Sequence, residues 1–198
     1  MISFKEFRAL YAVFCSILLL IAISPAVLSL LPLPEGERFT ELWLLGENHV
    51  AEDFPFVVRE GATYDIFVGI GNHMRSSVYY TLHVKFWNRT SAISGQAHHD
   101  GDLEGAFYEY RIILENEETW ESRVEFSFSN ITVNEGSIHV GGVSVDGTVF
   151  PVSCSTDWDQ EDQGFYYQLL MELWILNTTS SEFVSHNRSV GIWLNLTG

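Results

Sequence analysis

Alternation of apolar and polar side chains with a period of two residues is the feature that most constrains this chain. The alternation recurs after residue 35 and is clearest in Val78–Asn88, Arg123–Ser129 and Val190–Leu196. Successive side chains of a strand point to opposite faces, whereas an amphipathic helix repeats every 3.6 residues. These segments are therefore predicted to be strands with one buried and one wet face.

The first of these segments shows the two faces in detail. Its pattern assigns to the buried face Tyr80, Leu82, Val84 and Phe86. It assigns to the wet face Thr81, His83, Lys85 and Trp87. The charged residues of this strand are therefore expected to be in contact with solvent.

Further segments complete an all-β domain. Strands are predicted at Phe39–Leu45, Tyr64–Gly71, Tyr108–Leu114, Ser137–Val145 and Thr148–Val152. The Asp146-Gly147 pair between the last two predicts a tight hairpin turn. Phe165–Leu176 could be a helix, but its aromatic flanks favour a long strand. Eight or nine strands with short turns predict an antiparallel β-sandwich of immunoglobulin-like type, with an up-and-down barrel as the alternative.

A long apolar segment precedes this domain. No charged residue occurs from Ala9 to Pro34, and a helix of about 20 residues is enough to cross a bilayer. Lys5 and Arg8 lie before the segment and Glu35 lies after it. The positive-inside rule then predicts a cytoplasmic N-terminus at 1–8, one transmembrane helix at 9–33 and an extracytoplasmic domain at 36–198. A cleaved signal peptide and a pilin-type leader cut near Arg8 are the alternatives.

Asparagine contexts agree with an extracytoplasmic position. Five N-x-S/T sequons, none with proline in the middle, occur at Asn88, Asn130, Asn177, Asn187 and Asn195. Such a number predicts a glycosylated surface in the plasma-membrane protein expected here. Asn88 and Asn195 are expected to be modified because they lie at or near predicted strand ends, where a glycan reaches solvent.

The net charge limits the class of partner. The formal charge is −16, and all but one of the 26 acidic residues follow Pro34. Nucleic acids and anionic lipid headgroups require lysine- and arginine-rich surfaces, so neither is an expected partner of the domain. A cation, a basic partner, or a cell-surface protein or glycan is compatible with this surface.

Two acidic loops are the candidate metal sites. The sharper candidate is 157–164, where Asp157, Asp159, Glu161 and Asp162 provide oxygen ligands for a weak calcium site. The spacing matches a calcium loop imperfectly, and a solvated turn is the alternative. The other loop, His98–Glu104, combines two histidines with acidic residues. No other cofactor is predicted, because the chain lacks the G-x-S-x-G, P-loop, G-x-G-x-x-G and C-x-x-C motifs.

Several segments resemble an archaeal membrane-protein family known as domain of unknown function 1616. The similar segments, in order, are Arg38–Gly46, Ala51–Pro55, Val68–His73, Asn116–Glu121 and Ile192–Asn195. The resemblance covers about residues 25–198 and implies a membrane helix followed by an outward immunoglobulin-like domain. Larger members look as if they carry several membrane helices, whereas this chain has room for one. The resemblance implies no activity and no site residues.

The function expected from these features is that of a non-enzymatic surface module. A single anchor would present a glycosylated sandwich for binding, adhesion or assembly of the cell envelope. The alternative is a pilin-like filament subunit with a processed N-terminal helix.

Overall fold

The computed structural model describes residue 8 and residues 11–21, 37–89 and 106–197. The chain divides into two compact units, residues 1–37 and residues 38–198. In the first unit, residues 11–21 form an α-helix, and the predicted span at 9–33 lies mostly outside the described residues. No helix within the described ranges is both long enough and apolar enough to cross a membrane.

The second unit is built almost entirely of strands. In chain order they are β1 (Phe39–Leu45), β2 (Val57–Arg59), β3 (Thr63–His73), β4 (Val78–Asn88), β5 (Ala106–Leu114), β6 (Thr119–Asn134), β7 (Ser137–Val145), β8 (Thr148–Asp157), β9 (Tyr166–Asn177) and β10 (Glu182–Thr197). The strand prediction is confirmed for every segment named above, including the ambiguous one that forms β9. The three-residue β2 and the first half of β10 were not predicted.

The ten strands form two five-stranded sheets, an arrangement consistent with a β-sandwich. The first sheet has the order β1-β3-β6-β7-β8, and the second has the order β2-β10-β9-β4-β5. All neighbours are antiparallel except β2, which pairs in parallel with β10. The predicted hairpin between β7 and β8 is present, with Asp146 and Gly147 both at positive φ as a two-residue type I′ turn requires.

One hydrophobic core receives side chains from both sheets. The first sheet contributes, among others, Ile66, Val68, Val124, Phe126 and Val143, and the second contributes Leu82, Val84, Leu169, Met171 and Leu194. Tyr80, Leu82, Val84 and Phe86 of β4 are all buried in this core, which confirms the predicted inner face. The strands are thereby fixed by packing, and their opposite faces are available for other roles.

Candidate functional site

The outer face of the second sheet consists of the side chains of β4, β5, β9 and β10 that point away from the core. The sequence predicts a wet face here, and that prediction is wrong for its central residues. Thr81, His83 and Lys85 are only 2%, 3% and 2% exposed, although they alternate with the core residues of β4. Alternation distinguishes two faces of a strand, but it does not say whether a polar face is covered.

Strand register places the polar residues of this outer face in one line. Ser189, Glu172, His83 and Glu109 occupy consecutive positions across β10, β9, β4 and β5. Residues opposite one another on one face of a sheet have Cβ atoms only about 5 Å apart. A histidine between two carboxylates is therefore a direct result of the pairing of these strands.

A buried ion pair crosses this line. Lys85 Nζ lies 2.8 Å from Glu172 Oε2, and the two side chains are 2% and 14% exposed. Burying two charges is costly unless they are paired and hydrogen-bonded, so each of these residues depends on the other. The pair belongs to the outer face and not to the core between the sheets.

The surroundings of His83 favour its neutral form. Burial lowers its pKa, and the nearby Glu109 carboxylate only partly opposes that shift. His83 Nε2 lies 3.7 Å from Glu109 Oε2, and the imidazole lies 5.2 Å from the Trp174 ring. His83 and Glu109 also line a cavity of about 440 Å³ with Phe107, Tyr108 and Phe150.

Buried polar atoms without a hydrogen-bond partner are concentrated on the same outer face. Six buried side-chain atoms in the described part of the chain lack a hydrogen-bond partner, and five of them belong to β4 and β9: Thr81 Oγ1, His83 Nδ1, Trp87 Nε1, Gln168 Oε1 and Trp174 Nε1. Thr81 pairs with Trp174 and Trp87 pairs with Gln168 in the strand register, so the five atoms form an extended patch, about 20 Å long, on this outer face. Leaving a buried donor or acceptor unpaired costs about 1–3 kcal/mol. Five such atoms on one face, none of them open to solvent, mark this face as a candidate functional site.

An open groove adjoins this patch. It has a volume of about 440 Å³ and is lined by Phe56, Arg89, Asp162, Tyr166 and Trp193; we call it the aromatic groove. Trp193 and Phe56 are 39% and 49% exposed. Trp193 pairs with Gln168, which in turn pairs with Trp87, so the groove and the unpaired atoms share one row of the sheet.

Arg89 connects the aromatic groove to the acidic loop. Its guanidinium group contacts Asp159 Oδ2 at 2.8 Å and Asp162 Oδ2 at 2.5 Å. The same group lies over the Tyr166 ring, 5.2 Å from its centroid, in a cation–π arrangement. Arg89 thus supplies positive charge to two of the four residues predicted to bind calcium.

The acidic loop itself is a compact turn closed by backbone hydrogen bonds. Asp159 and Gly164 exchange two of these bonds, at 2.9 and 3.3 Å. Asp159 Oδ1 accepts from the backbone N–H groups of Asp162 and Glu161, and these bonds, helped by Arg89, lower the pKa of its carboxyl group. Asp157 and Glu161 are exposed.

The metal predictions are not decided by this geometry. Within 37–89 and 106–197, no group of three or more histidine, cysteine, aspartate or glutamate side chains is arranged to hold a metal ion. Calcium binding by Asp157, Asp159, Glu161 and Asp162 stays a prediction. The second candidate loop, His98–Glu104, lies outside the described residues.

The five sequons differ in their surroundings. Asn130, Asn177 and Asn187 are exposed, whereas Asn88 and Asn195 are half-buried. Asn88 Nδ2 donates to the Ser155 carbonyl at 2.8 Å, and Asn195 Oδ1 accepts from the backbone N–H of Phe165 at 3.1 Å. A glycan is attached at Nδ2, so exposure favours the first three sites and not the two strand-end sites expected from the sequence.

Sequence reasoning missed the Lys85–Glu172 pair and the role of Arg89. One signal of a covered face was present in β9. Leu170 and Trp174 lie on the same face of this strand as Glu172, and both are apolar. Both are buried although they lie outside the core cluster. Apolar neighbours on the face of a lone charge indicate that this face is covered, which a strict search for alternation overlooks.

The fold and the outer face define an all-β protein with two sheets and a buried polar patch outside its core. The chain belongs to the family described as Domain of unknown function (DUF1616), whose model matches residues 33–135. This confirms the resemblance found in the sequence. No curated protein matches the chain significantly.

Solved structures give only distant similarities. A beta-glucosidase from Listeria innocua in complex with gluconolactone matches with a TM-score of 0.40 and 9% identity, covering 85% of this chain and 18% of that chain. The same enzyme in complex with isofagomine matches with a TM-score of 0.41 and 11% identity over the same shares. The chain therefore spans less than a fifth of the length of these structures.

Proposed function

We propose that this chain is a membrane-anchored, non-catalytic binding module whose two-sheet domain lies outside the cell. The observation that carries the proposal is the patch of five unpaired polar atoms around the Lys85–Glu172 pair. A face held only for stability would be expected to satisfy its buried groups. The ligand is expected to contact the outer face of the second sheet, where the patch and the aromatic groove meet.

A binding role suits the charged groups better than a catalytic one. Lys85 and Glu172 neutralise each other at 2.8 Å, and Arg89 is occupied by Asp159 and Asp162. Charges paired in this way fix the orientation of the side chains around them. The Arg89–Asp162 pair, which lines the aromatic groove, supplies a rigid, polar surface that a ligand can recognise.

The N-terminal helix is the observation that supports a membrane anchor. The helix at 11–21 carries apolar side chains on all sides, and those of Tyr11, Phe14, Leu18 and Leu20 are 50–69% exposed. A helix that is apolar on all sides normally lies in a membrane or a large core. Together with Lys5 and Arg8 before it, this helix is proposed to place the N-terminus in the cytoplasm.

An immunoglobulin-like arrangement is proposed for the domain. The β4, β9 and β10 strands are adjacent, as are the C, F and G strands of that fold, and β3 pairs with β6 as B pairs with E. The β6–β8 meander extends the first sheet beyond that pattern. The outer face of β4 and β9 then corresponds to the middle of one sheet.

Protease treatment of intact cells tests the proposed location. Cells that carry the full chain with a C-terminal epitope tag should lose the tag when protease is added outside. A second epitope, placed before Lys5, should stay intact until the cells are disrupted. Protection of the C-terminal tag in intact cells would contradict the proposal.

A filament subunit is the second candidate, because an exposed apolar helix also suits helix packing inside a filament. Mass spectrometry of the mature N-terminus separates the two. A start at Met1 or Ile2 supports the anchor, and a start near Leu10 supports the filament.

A further inference from the structure

We propose that the ligand of this surface is a carbohydrate, bound in the aromatic groove beside Gln168 and Trp87. This inference rests on the proposed binding function and names the class of its ligand. Three properties of the site lead to it: exposed aromatic rings, a hydrogen-bond donor and an acceptor side by side in the lining, and the absence of a free positive charge among the described lining residues.

Exposed aromatic rings provide the apolar part of the site. Trp193 and Phe56 stand at the mouth of the aromatic groove, and the Tyr166 ring lies 6.1 Å from Phe56. Indole and phenyl faces carry partial negative charge, and the C–H groups of a pyranose ring carry partial positive charge. Large aromatic side chains left open to water in a polar groove therefore favour a ligand with a flat C–H face.

The polar groups that line the aromatic groove identify the polar part of the ligand. The N–H groups of Arg89 can only donate hydrogen bonds, whereas the Asp162 carboxylate can only accept them. A phosphate or a carboxylate would satisfy the donor alone, and an ammonium group would satisfy the acceptor alone. A hydroxyl group both donates and accepts, so neighbouring hydroxyl groups on one ring can pair with both side chains.

Charge excludes the competing classes of ligand. The domain carries most of the net charge of −16, which disfavours an anionic ligand. A basic peptide would have to compete with Arg89 for Asp159 and Asp162. A neutral polyhydroxylated ligand meets neither obstacle.

The size of the aromatic groove fits a short sugar. Its volume of about 440 Å³ lies at the lower end of the range of about 300–1,000 Å³ typical of small-ligand sites. Arg89 and Asp162 are fixed to each other on one wall, so their remaining donor and acceptor positions are already oriented. The ligand thus loses little affinity to ordering of the protein.

A glycan array probed with the full chain in detergent micelles tests this inference. The array should include neutral, acidic and basic glycans, and calorimetry should follow on each positive sugar. Trp193→Ala should weaken binding by about tenfold, and Arg89→Gln, which removes a donor from the groove lining, should also weaken it. Phe39→Ala is the matched control, because Phe39 is 41% exposed but lies on the first sheet. It should leave binding within about twofold of wild type, and unchanged melting curves should show that every variant is folded.

The glycan-binding experiment has outcomes that can be told apart. Binding of neutral glycans that depends on Trp193 supports the inference. Failure of every glycan to bind, or binding that Trp193→Ala leaves unchanged, overturns it. A basic peptide that binds in a Trp193-dependent manner would overturn the carbohydrate class while leaving the proposed binding surface in place. The protease experiment, which does not involve a ligand, tests the anchor and location separately.

Discussion

Lys85 on β4 and Glu172 on β9 form an ion pair of 2.8 Å on the face of the second sheet that points away from the core. The two residues are diagonal neighbours, because Lys85 pairs with Leu170 and Glu172 pairs with His83. Their attraction offsets part of the cost of removing both charges from water. The pair therefore ties the two central strands together at the proposed binding surface.

Removing one member of this pair should destabilise the protein strongly. Lys85→Met leaves Glu172 buried without its partner charge, and we expect the free energy of unfolding to fall by about 3–5 kcal/mol in urea titrations. The double variant Lys85→Met, Glu172→Met should recover most of that loss. The control is Arg123→Met, since Arg123 pairs with Asp65 but is 55% exposed, and it should cost far less stability than Lys85→Met. Equal losses of unfolding free energy in Lys85→Met and Arg123→Met would show that burial of the Lys85–Glu172 pair makes no difference, and would contradict this prediction.

His73 should titrate above its ordinary range. Its Nδ1 lies 2.7 Å from Glu117 Oε2, and this hydrogen bond is the main cause that raises the pKa of His73. A raised pKa in the folded state stabilises the protein below about pH 6.5, and that stabilisation is lost as the pH rises through the pKa of folded His73. Glu117→Gln should lower the pKa measured by NMR titration. Glu41→Gln should lower it less, because Glu41 is 3.6 Å away. An unchanged pKa in Glu117→Gln would contradict this assignment.

Arg89 and calcium should compete for the acidic loop. Both would neutralise Asp159 and Asp162, and Arg89 already contacts these two carboxylates. We expect Arg89→Gln to increase the rise in melting temperature that millimolar calcium produces, since calcium then binds the native state with less competition. Asp157→Asn with Asp159→Asn should abolish the rise. Equal rises in all variants would instead indicate general screening of the net charge.

Glycosylation should follow exposure of the asparagine amide. We expect mass shifts on peptides that contain Asn130, Asn177 or Asn187, which are exposed. The Asn88 amide already donates to Ser155 and that of Asn195 packs closely against Gly164, so these sites should be modified less. Mass spectrometry of the chain from native membranes measures the occupancy. Modification confined to Asn88 and Asn195 would contradict the expected order of occupancy. Five unmodified sites would indicate that the sequons arise only because turns are rich in Asn, Ser and Thr.

Local patterns were sufficient to predict the strands but not the site. β4 and β7 were predicted to the residue, because alternation and the Asp146-Gly147 turn are properties of adjacent residues. The site depends on residues distant in sequence: Arg89 meets Asp162 across 73 residues, and Lys85 meets Glu172 only through the pairing of β4 with β9. Sheet order and register determine such contacts, and a single sequence does not specify them. Of the acidic loop, Asp159 and Asp162 meet around the guanidinium group of Arg89, which the sequence does not predict, and calcium binding there stays a prediction.

The indole N–H resonances of the six tryptophans test the central claim most directly. The full chain, labelled with ¹⁵N and held in detergent micelles, would be titrated with the neutral oligosaccharides that bind best on the array. Trp193 lines the aromatic groove, so its indole signal should shift as a sugar ring packs against it. The indole signal of Trp87, which lies in the same row of the sheet, should shift with it. Trp43 Nε1 already donates to Glu121 on the first sheet and should not move. Shifts at Trp43 with none at Trp87 or Trp193, or no shift in any resonance, would contradict a binding surface on the outer face of the second sheet.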